Sequence, residues 1–357
     1  MSNNRIHFGI RAMGIAPDGS TTYTNVHGLQ SMGISTNYNL DLAQEIGQLQ
    51  PYQLLEQVPD VEINTEKVLD GYPPVYCLAT QQGTDASLAG RSNAKCAVAT
   101  SIFTDTQNSA SGNPICQLTC SGVFIGQVGF NFPTEGFFTE NVTFLGTSKV
   151  WITSAFTYTG GFLNNDQPLA ISSGAGGVQR RQNLIFGGPA TTLDANGQVL
   201  ATKGASRCTV LPPDIPGISA SGTNDQTAGQ YGCHVHNISV SANLGREPIY
   251  ELGRRFYYFR YVSYPVQVSC DIEVTAHTGD LINVTEAGAA GSGLNLLNRS
   301  IRIGTQEGLF IDLGVENKLN SITQAGANVD GSNMTNTFNY VTYNNFTVNH
   351  LMDPAGF

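Results

Sequence analysis

The sequence contains one stretch that decides the fold class, Pro265-Val-Gln-Val-Ser-Cys-Asp-Ile-Glu-Val274. Apolar and polar side chains alternate along it with a period of two. Successive residues of a β-strand point to opposite faces of a sheet, so this alternation predicts a strand with one buried face and one wet face. The apolar set is Val266, Val268, Cys270, Ile272 and Val274, and the polar set is Gln267, Ser269, Asp271 and Glu273.

The same period of two marks three further segments, residues 61–66, 150–158 and 338–348. The last of these is rich in the aromatic and β-branched side chains that strands prefer. Helical signals are few, and the clearest runs from Leu40 to Ile46, which we predict to form two helical turns before Gly47. The sequence therefore predicts a mainly β protein, an antiparallel β-sandwich or barrel with long hairpins and few short helices.

An internal repeat links two parts of the chain. Glu45-Ile-Gly47 is followed by Pro59, fourteen residues after its Glu, and Glu251-Leu-Gly253 is followed by Pro265 at the same offset. Several features recur in the same order, which predicts two long hairpins whose second strands begin at a proline. The register slips by one residue after the proline, so coincidence is the alternative interpretation. The preceding matched pairs are Ile34-Ser35 with Asn39-Leu40, and Ile238-Ser239 with Asn243-Leu244.

The composition excludes several classes of function. Only 12% of the 357 residues are charged, about half the usual share of roughly 25%. The 27 acidic and 17 basic residues give a net charge of −10 with no basic run, so we expect no sequence-specific nucleic-acid binding. We also expect no signal peptide and no membrane span, and we interpret the 7 cysteines as reduced thiols.

Motifs for catalysis are missing from the sequence. It has no phosphate-binding glycine loop, no Gly-x-Ser-x-Gly turn and no His-Glu-x-x-His helix. Cys233-His234-Val-His236 with His277 is the best candidate for a zinc site, but the usual Cys-x2-Cys pairing is absent, so polar strand residues are the simpler interpretation. We therefore predict no enzymatic activity, no metal and no cofactor.

Two strand faces carry acids and no lysine or arginine. Glu62, Asn64 and Glu66 form one, and the polar set from Gln267 to Glu273 forms the other. The first interpretation is an ordinary water-facing sheet surface. The second is the lining of a channel through which a polyanion slides, since a basic lining would bind each phosphate and stall it. The residues alone leave both interpretations open.

The chain resembles the tail tube proteins of long-tailed bacteriophages. The strongest part of the resemblance is the segment 238–274, with Gly-Arg-Glu at 245–247, Glu-Leu-Gly-Arg at 251–254 and a Tyr-Pro-led strand from Tyr264. Shorter matches come in order along most of the chain outside residues 160–232. They are Gly28-Leu-Gln-Ser31, Pro59-Asp-Val-Glu-Ile63, Val68-Leu-Asp-Gly-Tyr-Pro73, Phe132-Pro-Thr-Glu-Gly136, Phe138-Thr-Glu-Asn-Val-Thr143, Ile311-Asp-Leu-Gly314, Asn317-Lys-Leu-Asn320 and Asn344-Asn-Phe-Thr-Val348.

This resemblance implies a structural protein of the virion tail, assembled in the host cytoplasm. Its subunits would form stacked rings, usually hexameric, whose long hairpins close into one β-barrel around a lumen that conducts viral DNA. Lumen-facing candidates are then Glu62, Asn64, Glu66, Gln267, Ser269, Asp271 and Glu273. The implied partners are further copies of the chain, the tape measure, baseplate and terminator proteins, a sheath if the tail is contractile, and double-stranded DNA that passes without specific binding; no membrane is implied.

The resemblance also suggests an organisation of the chain. We expect an N-terminal arm and first strand over 1–33, tube body over 34–158, a Gly/Pro-rich outward lobe over 159–232, and a second part of the tube body over 233–357. Charges concentrate beside the second hairpin, which favours a role in setting the register between subunits over surface ion pairs of about 0–1 kcal/mol. The candidate inter-subunit residues are Arg246, Glu247, Glu251, Arg254 and Arg255.

Other virion proteins and one extracellular class are the alternatives. An initiator or terminator ring would use the same fold and differ in polymerisation. A ring of three chains, each supplying two equivalent units, is an alternative to six chains. A capsid decoration or fibre protein would share the composition but should lack the repeated hairpin. A secreted sugar-binding β-sandwich or glycosidase would need an export route and surface aromatics such as Phe256 to Phe259.

Overall fold

The computed structural model describes residues 6–20, 22–80, 85–91, 93–103, 114–153, 177–184, 209–212, 215, 235–276, 296–305, 308–326 and 333–350. Strands dominate this part of the chain, and every pairing between them is antiparallel. The prediction of a mainly β, antiparallel fold is confirmed.

The strands are β1 (Arg11–Pro17), β2 (Thr24–Asn25), β3 (Leu29–Asn37), β4 (Leu40–Ala43), β5 (Gln53–Glu56), β6 (Asp60–Val68), β7 (Asp85–Ser87), β8 (Cys96–Ile102), β9 (Cys116–Pro133), β10 (Thr139–Gly146), β11 (Val150–Thr153), β12 (Val235–Asn243), β13 (Arg246–Ile249), β14 (Phe259–Val262), β15 (Gln267–Thr275), β16 (Arg302–Gly304), β17 (Leu309–Asp312), β18 (Lys318–Ala325), β19 (Thr335–Tyr343) and β20 (Thr347–His350), with short helices α1 (Val75–Ala79) and α2 (Leu88–Arg91).

Eight of these strands form the main path of a large sheet in the order β18-β19-β15-β12-β9-β10-β6-β3, and β1, β2, β8 and β11 join it through β9. This path is open, and its two ends are β18 and β3. It divides into two halves of the same topology. Unit 1 is β3-β6-β10-β9 and unit 2 is β12-β15-β19-β18, so each unit places its four strands in the order first, second, fourth, third along the chain. The pairing of β9 with β12, here called the internal seam, joins the two units.

A β-bulge at equivalent positions shows how closely the two units match. In unit 1 the pairing of β10 with β9 shifts between Thr143 and Phe144, which leaves Gly126 without a direct partner. In unit 2 the pairing of β18 with β19 shifts at the corresponding point and leaves Asn320 without one. Bulges bend and twist a strand at a fixed place, so a shared bulge means that the two units share their curvature as well as their strand order.

The two long hairpins predicted from the sequence are confirmed. The first hairpin pairs β3 with β6 and then β4 with β5 toward its tip, and the second hairpin pairs β12 with β15 and then β13 with β14. Gln57 N–H donates to the Asn39 carbonyl in the first (2.9 Å), and Ser263 N–H donates to the Gly245 carbonyl in the second (3.2 Å). These matched residues are 206 positions apart (39 to 245, 57 to 263).

This offset corrects both matched pairs that precede the hairpin tips, which the sequence alignment placed at an offset of 204; Ile34-Ser35 corresponds to Val240-Ser241 and not to Ile238-Ser239. Asn39 corresponds to Gly245, and the partner of Asn243 is Asn37, because each of these asparagines accepts the N–H of the residue two positions later. Glu45 and Pro59 do match Glu251 and Pro265 at the offset of 206 (45 to 251, 59 to 265). The predicted one-residue slip is also present, since four residues separate β14 from Gln267 at the start of β15 while three separate β5 from β6.

The core lies between the large sheet and a second layer. That layer contains β1, β2, β8, β11 and the first part of β9, together with the sheet β16-β17-β20-β7 and helix α1. Tyr76 of α1 and Phe130 of β9 both contact Phe346, at 5.5 Å and 6.3 Å between ring centroids. β9 is long enough to belong to both layers, and it crosses between them next to Gly122, whose positive φ of 63° suits glycine.

One sequence expectation changes at this level. The prediction of helical turns over Leu40 to Ile46 is wrong, because Leu40–Ala43 is strand β4. Within residues 1–33, expected to hold an N-terminal arm and a first strand, residues 11–17 form β1, and Met13 and Ile15 on it are buried in the core. Most of the expected lobe over 159–232 lies outside the described residues.

Candidate functional surface

One face of the large sheet is mainly polar, although Leu145, Val341 and Tyr343 also lie on it, and the other face is buried against the second layer. All seven candidates for the lumen lie on this polar face. Glu66 pairs with Asn141, Asn141 with Gly129, Gly129 with Ser241, and Ser241 with Ser269, so the two acidic strands of the sequence share one surface. The alternate residues Val61, Ile63, Val268, Cys270 and Ile272 are at most 1% exposed on the opposite face.

Hydrogen bonds between neighbouring strands hold the polar side chains in place. Asn64 donates to Glu62 (2.8 Å) and accepts from Thr143 of the next strand (2.7 Å). Near the other end of the sheet, Asn339 donates to Asp271 at 2.6 Å, and Asn320 donates to Asn339 at 3.0 Å. Amides and hydroxyls thus satisfy part of each carboxylate's hydrogen-bonding capacity without neutralising its charge.

The charge of this surface is acidic. Glu62, Glu66, Asp271 and Glu273 contribute carboxylates, and they spread over both units. Lys318, at the beginning of the edge strand β18, places a basic side chain on this face, since it pairs with Val341 and Val341 pairs with Ser269. A polyanion moving along the middle of the face would therefore meet negative or neutral groups.

Arg246, a candidate inter-subunit residue, makes its contacts within the chain. Its Nε donates to the carbonyl of Ile125 at 2.7 Å, and its guanidinium lies 5.1 Å from the Phe124 ring centroid. Burial lowers its pKa to about 10. Ile125 belongs to β9 of unit 1, so Arg246 ties the second hairpin to unit 1 beside the internal seam.

The other four charged candidates lie near the tip of the second hairpin. Glu251 and Arg254 form an exposed ion pair at 3.2 Å across the tip turn, and Glu247 is exposed on β13. Arg255 reaches Glu56 of the first hairpin at 3.4 Å, again with both side chains mostly exposed. These groups are accessible to a second molecule, and Arg255 already links the two hairpins.

A stronger link between the hairpins was not predicted from the sequence. Arg260 of β14 donates a hydrogen bond to Asp60 at the start of β6, and Arg260 is only 6% exposed. Its guanidinium also lies 4.5 Å from the Tyr257 ring centroid. Because 200 residues separate Arg260 from Asp60, no local pattern reveals the pair.

The extensions of both hairpins expose apolar side chains, and that of the second combines Ile249, Tyr250 and Leu252 with the charged residues described above. Leu40, Leu42, Leu54 and Leu55 of β4 and β5 are all exposed, and so are Ile46 and Leu49 near the tip. Leu54 occupies the position equivalent to Arg260 (54 to 260, offset 206). Exposed apolar clusters are typical of surfaces that another molecule covers.

Both outer edges of the large sheet are open in the described part of the chain. β3 pairs only with β6, and β18 pairs only with β19. Ser35 of β3 and Thr323 of β18 are exposed. An unpaired strand edge presents a row of N–H and C=O groups that can bind another strand.

Ionisable groups in the core serve the fold. The Glu140 carboxylate accepts the N–H groups of Val75 (2.7 Å) and Tyr76 (2.8 Å) and so caps the N-terminus of α1 from β10. Burial raises the pKa of Glu140 to about 7, partly offset by these hydrogen bonds and by Lys67, which forms a buried ion pair with Asp70 at 2.6 Å. Burial also raises the pKa of the Cys96 thiol to about 12, which disfavours its reactive thiolate.

The candidate metal ligands are largely outside the described residues. Cys233, His234 and His277 fall there, and His236 on β12 makes a contact with Thr134 at 3.5 Å. Across the described residues, no group of three or more His, Cys, Asp or Glu side chains is arranged to hold a metal ion. In the same residues no helix combines the length and the apolar character needed to cross a bilayer.

Comparison with known proteins gives structural similarities only. No protein-family model and no curated protein matches the sequence. A chain of the anti-feeding prophage baseplate is similar at 10% identity and a TM-score of 0.33, over 44% of this chain and 100% of its own length. A chain of the sheath-tube complex of an extracellular contractile injection system, in the extended state, is similar at 10% identity and 0.32, over 43% and 95%. A chain of a native gene transfer agent virion follows at 11% and 0.26, over 40% and 95%.

Proposed function

We propose that this protein is a structural subunit of a phage tail tube, without enzymatic activity, which polymerises as stacked rings around a lumen that conducts viral DNA. The observation that carries the proposal is the mainly polar face that crosses eight strands, built from two repeated units with an open edge at each end. The resemblance to tail tube proteins supports the same function, and it adds the expectation of hexameric rings, with a ring of three chains that each supply two units as the alternative, and a location in the virion.

Open edges of two different strands support closure into a ring. A contact between β18 of one copy and β3 of the next is head-to-tail, because each copy uses a different surface on each side. Head-to-tail contacts repeat until they close a ring or extend as a filament. A ring closed in this way has no exposed strand edge, which removes the need for charged guards on the edge strands.

The polar face supports the function of the lumen. DNA carries a phosphate charge every 1.7 Å of its axis, and each bound lysine or arginine releases counterions and adds to its affinity for a surface. A wall with Glu62, Glu66, Asp271 and Glu273 and few bases gives DNA no such site. Transport through the tube needs weak and uniform contact, and these residues provide it.

The charged tip of the second hairpin supports contact with a neighbouring subunit. Its charged candidates Glu247, Glu251, Arg254 and Arg255 remain accessible, whereas Arg246 is occupied within the chain. We expect Arg254→Glu with Arg255→Glu to reduce assembly while the thermal stability of the single chain changes little, since exposed pairs contribute about 0–1 kcal/mol. An unchanged assembly curve would remove the tip from the interface.

Negative-stain electron microscopy of the purified protein over a concentration series tests the function. Rings or long hollow tubes are expected. Rings that never stack would instead favour the second candidate, an initiator or terminator ring of the same fold. A monomer at every concentration, with and without added tail tips as nuclei, would contradict both and return the chain to other virion β-proteins.

A further inference from the structure

We infer that β18 of one copy pairs with β3 of the next in the register of the internal seam, and that three chains close the ring. This inference rests on the proposed function, and it selects the alternative in which three chains supply six units to the ring. It adds the residues that meet and the number of chains. The partner is a second copy of this chain.

The internal seam gives the geometry of the contact. There the third strand of unit 1, β9, pairs antiparallel with the first strand of unit 2, β12, from Gln127 with Asn243 to Pro133 with Asn237. The third strand of unit 2 is β18 and the first strand of unit 1 is β3, and these two are the open edges. Pairing them across copies repeats a contact that the chain already makes once.

The shared bulge fixes the register of that pairing. Gly126 of β9 corresponds to Asn320 of β18, and β12 corresponds to β3 at the offset of 206 (243 to 37). Transferring the seam residue by residue places Ser321 opposite Asn37 of the neighbour, and Thr323 opposite Ser35. At the bulge, the N–H of Leu244 donates to the Gly126 carbonyl (2.9 Å), so the N–H of Tyr38 is expected to donate to Asn320 of the neighbouring copy.

Transferring the contacts of the internal seam to the pairing of β18 with β3 also gives a partner to the apolar extension of the first hairpin. Inside the chain, Arg246 of the second hairpin packs on Ile125 and Phe124 beside the seam. The equivalent of Arg246 is Leu40, which is 55% exposed, and the equivalent of Ile125 is the half-buried Leu319 of β18. The equivalent of Phe124 is Lys318, so between copies Leu40 would pack on Leu319 and on the aliphatic stem of Lys318, and leucines that the isolated chain leaves in water would be buried.

Nearer the tip, a second contact inside the chain has an equivalent between copies. Arg260 reaches from the second hairpin to Asp60 of the first. Its equivalent Leu54, 57% exposed, would reach from the first hairpin of one copy to the beginning of β15 in its neighbour. Two kinds of contact would then alternate around the ring, one with the ion pair of Arg260 and Asp60 inside each chain and one with the leucines of the first hairpin between chains.

Disulfide trapping tests the register. The variant Ser35→Cys with Thr323→Cys is assembled, oxidised to different extents and separated under denaturing, non-reducing conditions. Directly opposed strand residues lie within disulfide reach. The matched control is Gly33→Cys with Ser321→Cys, which the proposed register separates by four residues, about 13 Å. Ser241→Cys with Gly129→Cys, opposed at the internal seam, is the positive control and should form an intrachain bond.

A ladder of covalent species that ends at three chains is expected for the first variant, with little crosslinking of the control above that of the unmodified chain. A ladder that ends at any other number overturns the count. If a disulfide forms without a ladder, it joins β3 and β18 of the same chain, which would contradict the proposed pairing between copies. If tubes form but neither pair crosslinks, the seam is wrong while the proposed function stands, and if no rings or tubes form, the function itself fails.

Discussion

Asp60 at the start of β6 accepts a hydrogen bond from Arg260 of β14, which fastens the tip of the second hairpin onto the first hairpin. Asp60 also accepts from the Asn39 side chain at 2.9 Å and keeps nearly half of its surface in water, whereas Arg260 is almost fully buried. The two members of the pair are therefore not equivalent, and their removal should have different costs.

We predict that Asp60→Ala destabilises the protein more than Arg260→Ala. The first change leaves a buried guanidinium without its carboxylate, at a cost of about 3 kcal/mol. The second leaves a carboxylate that water and Asn39 still solvate, at a cost of about 2 kcal/mol. Urea unfolding of both single variants and the double variant measures the two costs and their coupling.

The exposed pair Arg255 with Glu56 serves as the control for that cycle. Its coupling should be about 0–1 kcal/mol, since both side chains are mostly in water. Equal costs for Asp60→Ala and Arg260→Ala, or a coupling no larger than that of the control pair, would contradict the buried character of the link.

The repeat predicts which residues Gly245 tolerates. Gly245 has a φ of 50° and its equivalent Asn39 has a φ of 45°. Asparagine adopts this left-handed region more readily than other side chains, whereas alanine pays about 1–2 kcal/mol there. We expect Gly245→Asn to keep the melting temperature near that of the unmodified protein and Gly245→Ala to lower it by several degrees. Equal effects of the two substitutions would argue against equivalence of the turns.

The raised pKa of Glu140 predicts that the free energy of unfolding depends on pH. Its pKa rises from 4.5 in the unfolded chain to about 7 in the folded protein, so the folded state binds more protons between these values. Stability from this group is fully present below pH 4.5 and is lost as the pH rises through 7, by up to about 3 kcal/mol at 1.36 kcal/mol per unit. Denaturant unfolding from pH 5.5 to 8 should show the decline.

Glu140→Gln should remove this component, because the amide does not ionise and its oxygen still accepts from the α1 backbone. Glu135→Gln, in the exposed turn after β9, is the matched control and should keep the decline. Parallel curves for the unmodified protein and Glu140→Gln would assign the pH dependence to other groups.

Charge reversal on the polar face tests its role in DNA passage. Replacing Glu62, Glu66, Asp271 and Glu273 with Lys should leave tube assembly largely intact and slow DNA ejection, since each new cation binds phosphate. Replacing the same four residues with Gln removes charge without adding cations and should leave ejection near its usual rate. Unaltered ejection in the Lys variant would put this face on the outside of the tube.

Alternation allowed the sequence to predict much of the sheet. Val268, Cys270 and Ile272 are each at most 1% exposed and define a buried face by themselves, so the polar side of β15 followed directly. The segment Leu40-Asp-Leu-Ala43 did not allow this, because its apolar spacing suits a helix and a strand equally. Its strand conformation depends on pairing with Gln53–Glu56, which no property of residues 40–43 reveals.

The common surface of the two acidic strands was beyond sequence reasoning for a similar reason. Each strand shows its own polar side, but their alignment across β10, β9 and β12 depends on the registers of four pairings. The extent of the repeat was also hidden, since Gly126 and Asn320 share a bulge and not a residue type. The two units share their backbone geometry at these positions, whereas their side chains differ.

The joining of both units in one polypeptide has a consequence for heredity. In an assembly of identical single-unit chains, a mutation at a contact alters every contact of that kind around the ring, so most changes are harmful everywhere at once. Here Leu54 and Arg260 stand at equivalent places and are encoded separately. In the proposed ring, selection can therefore change one of these two residues without changing the contact that the other makes. Translation of a single message also supplies the two units in equal number.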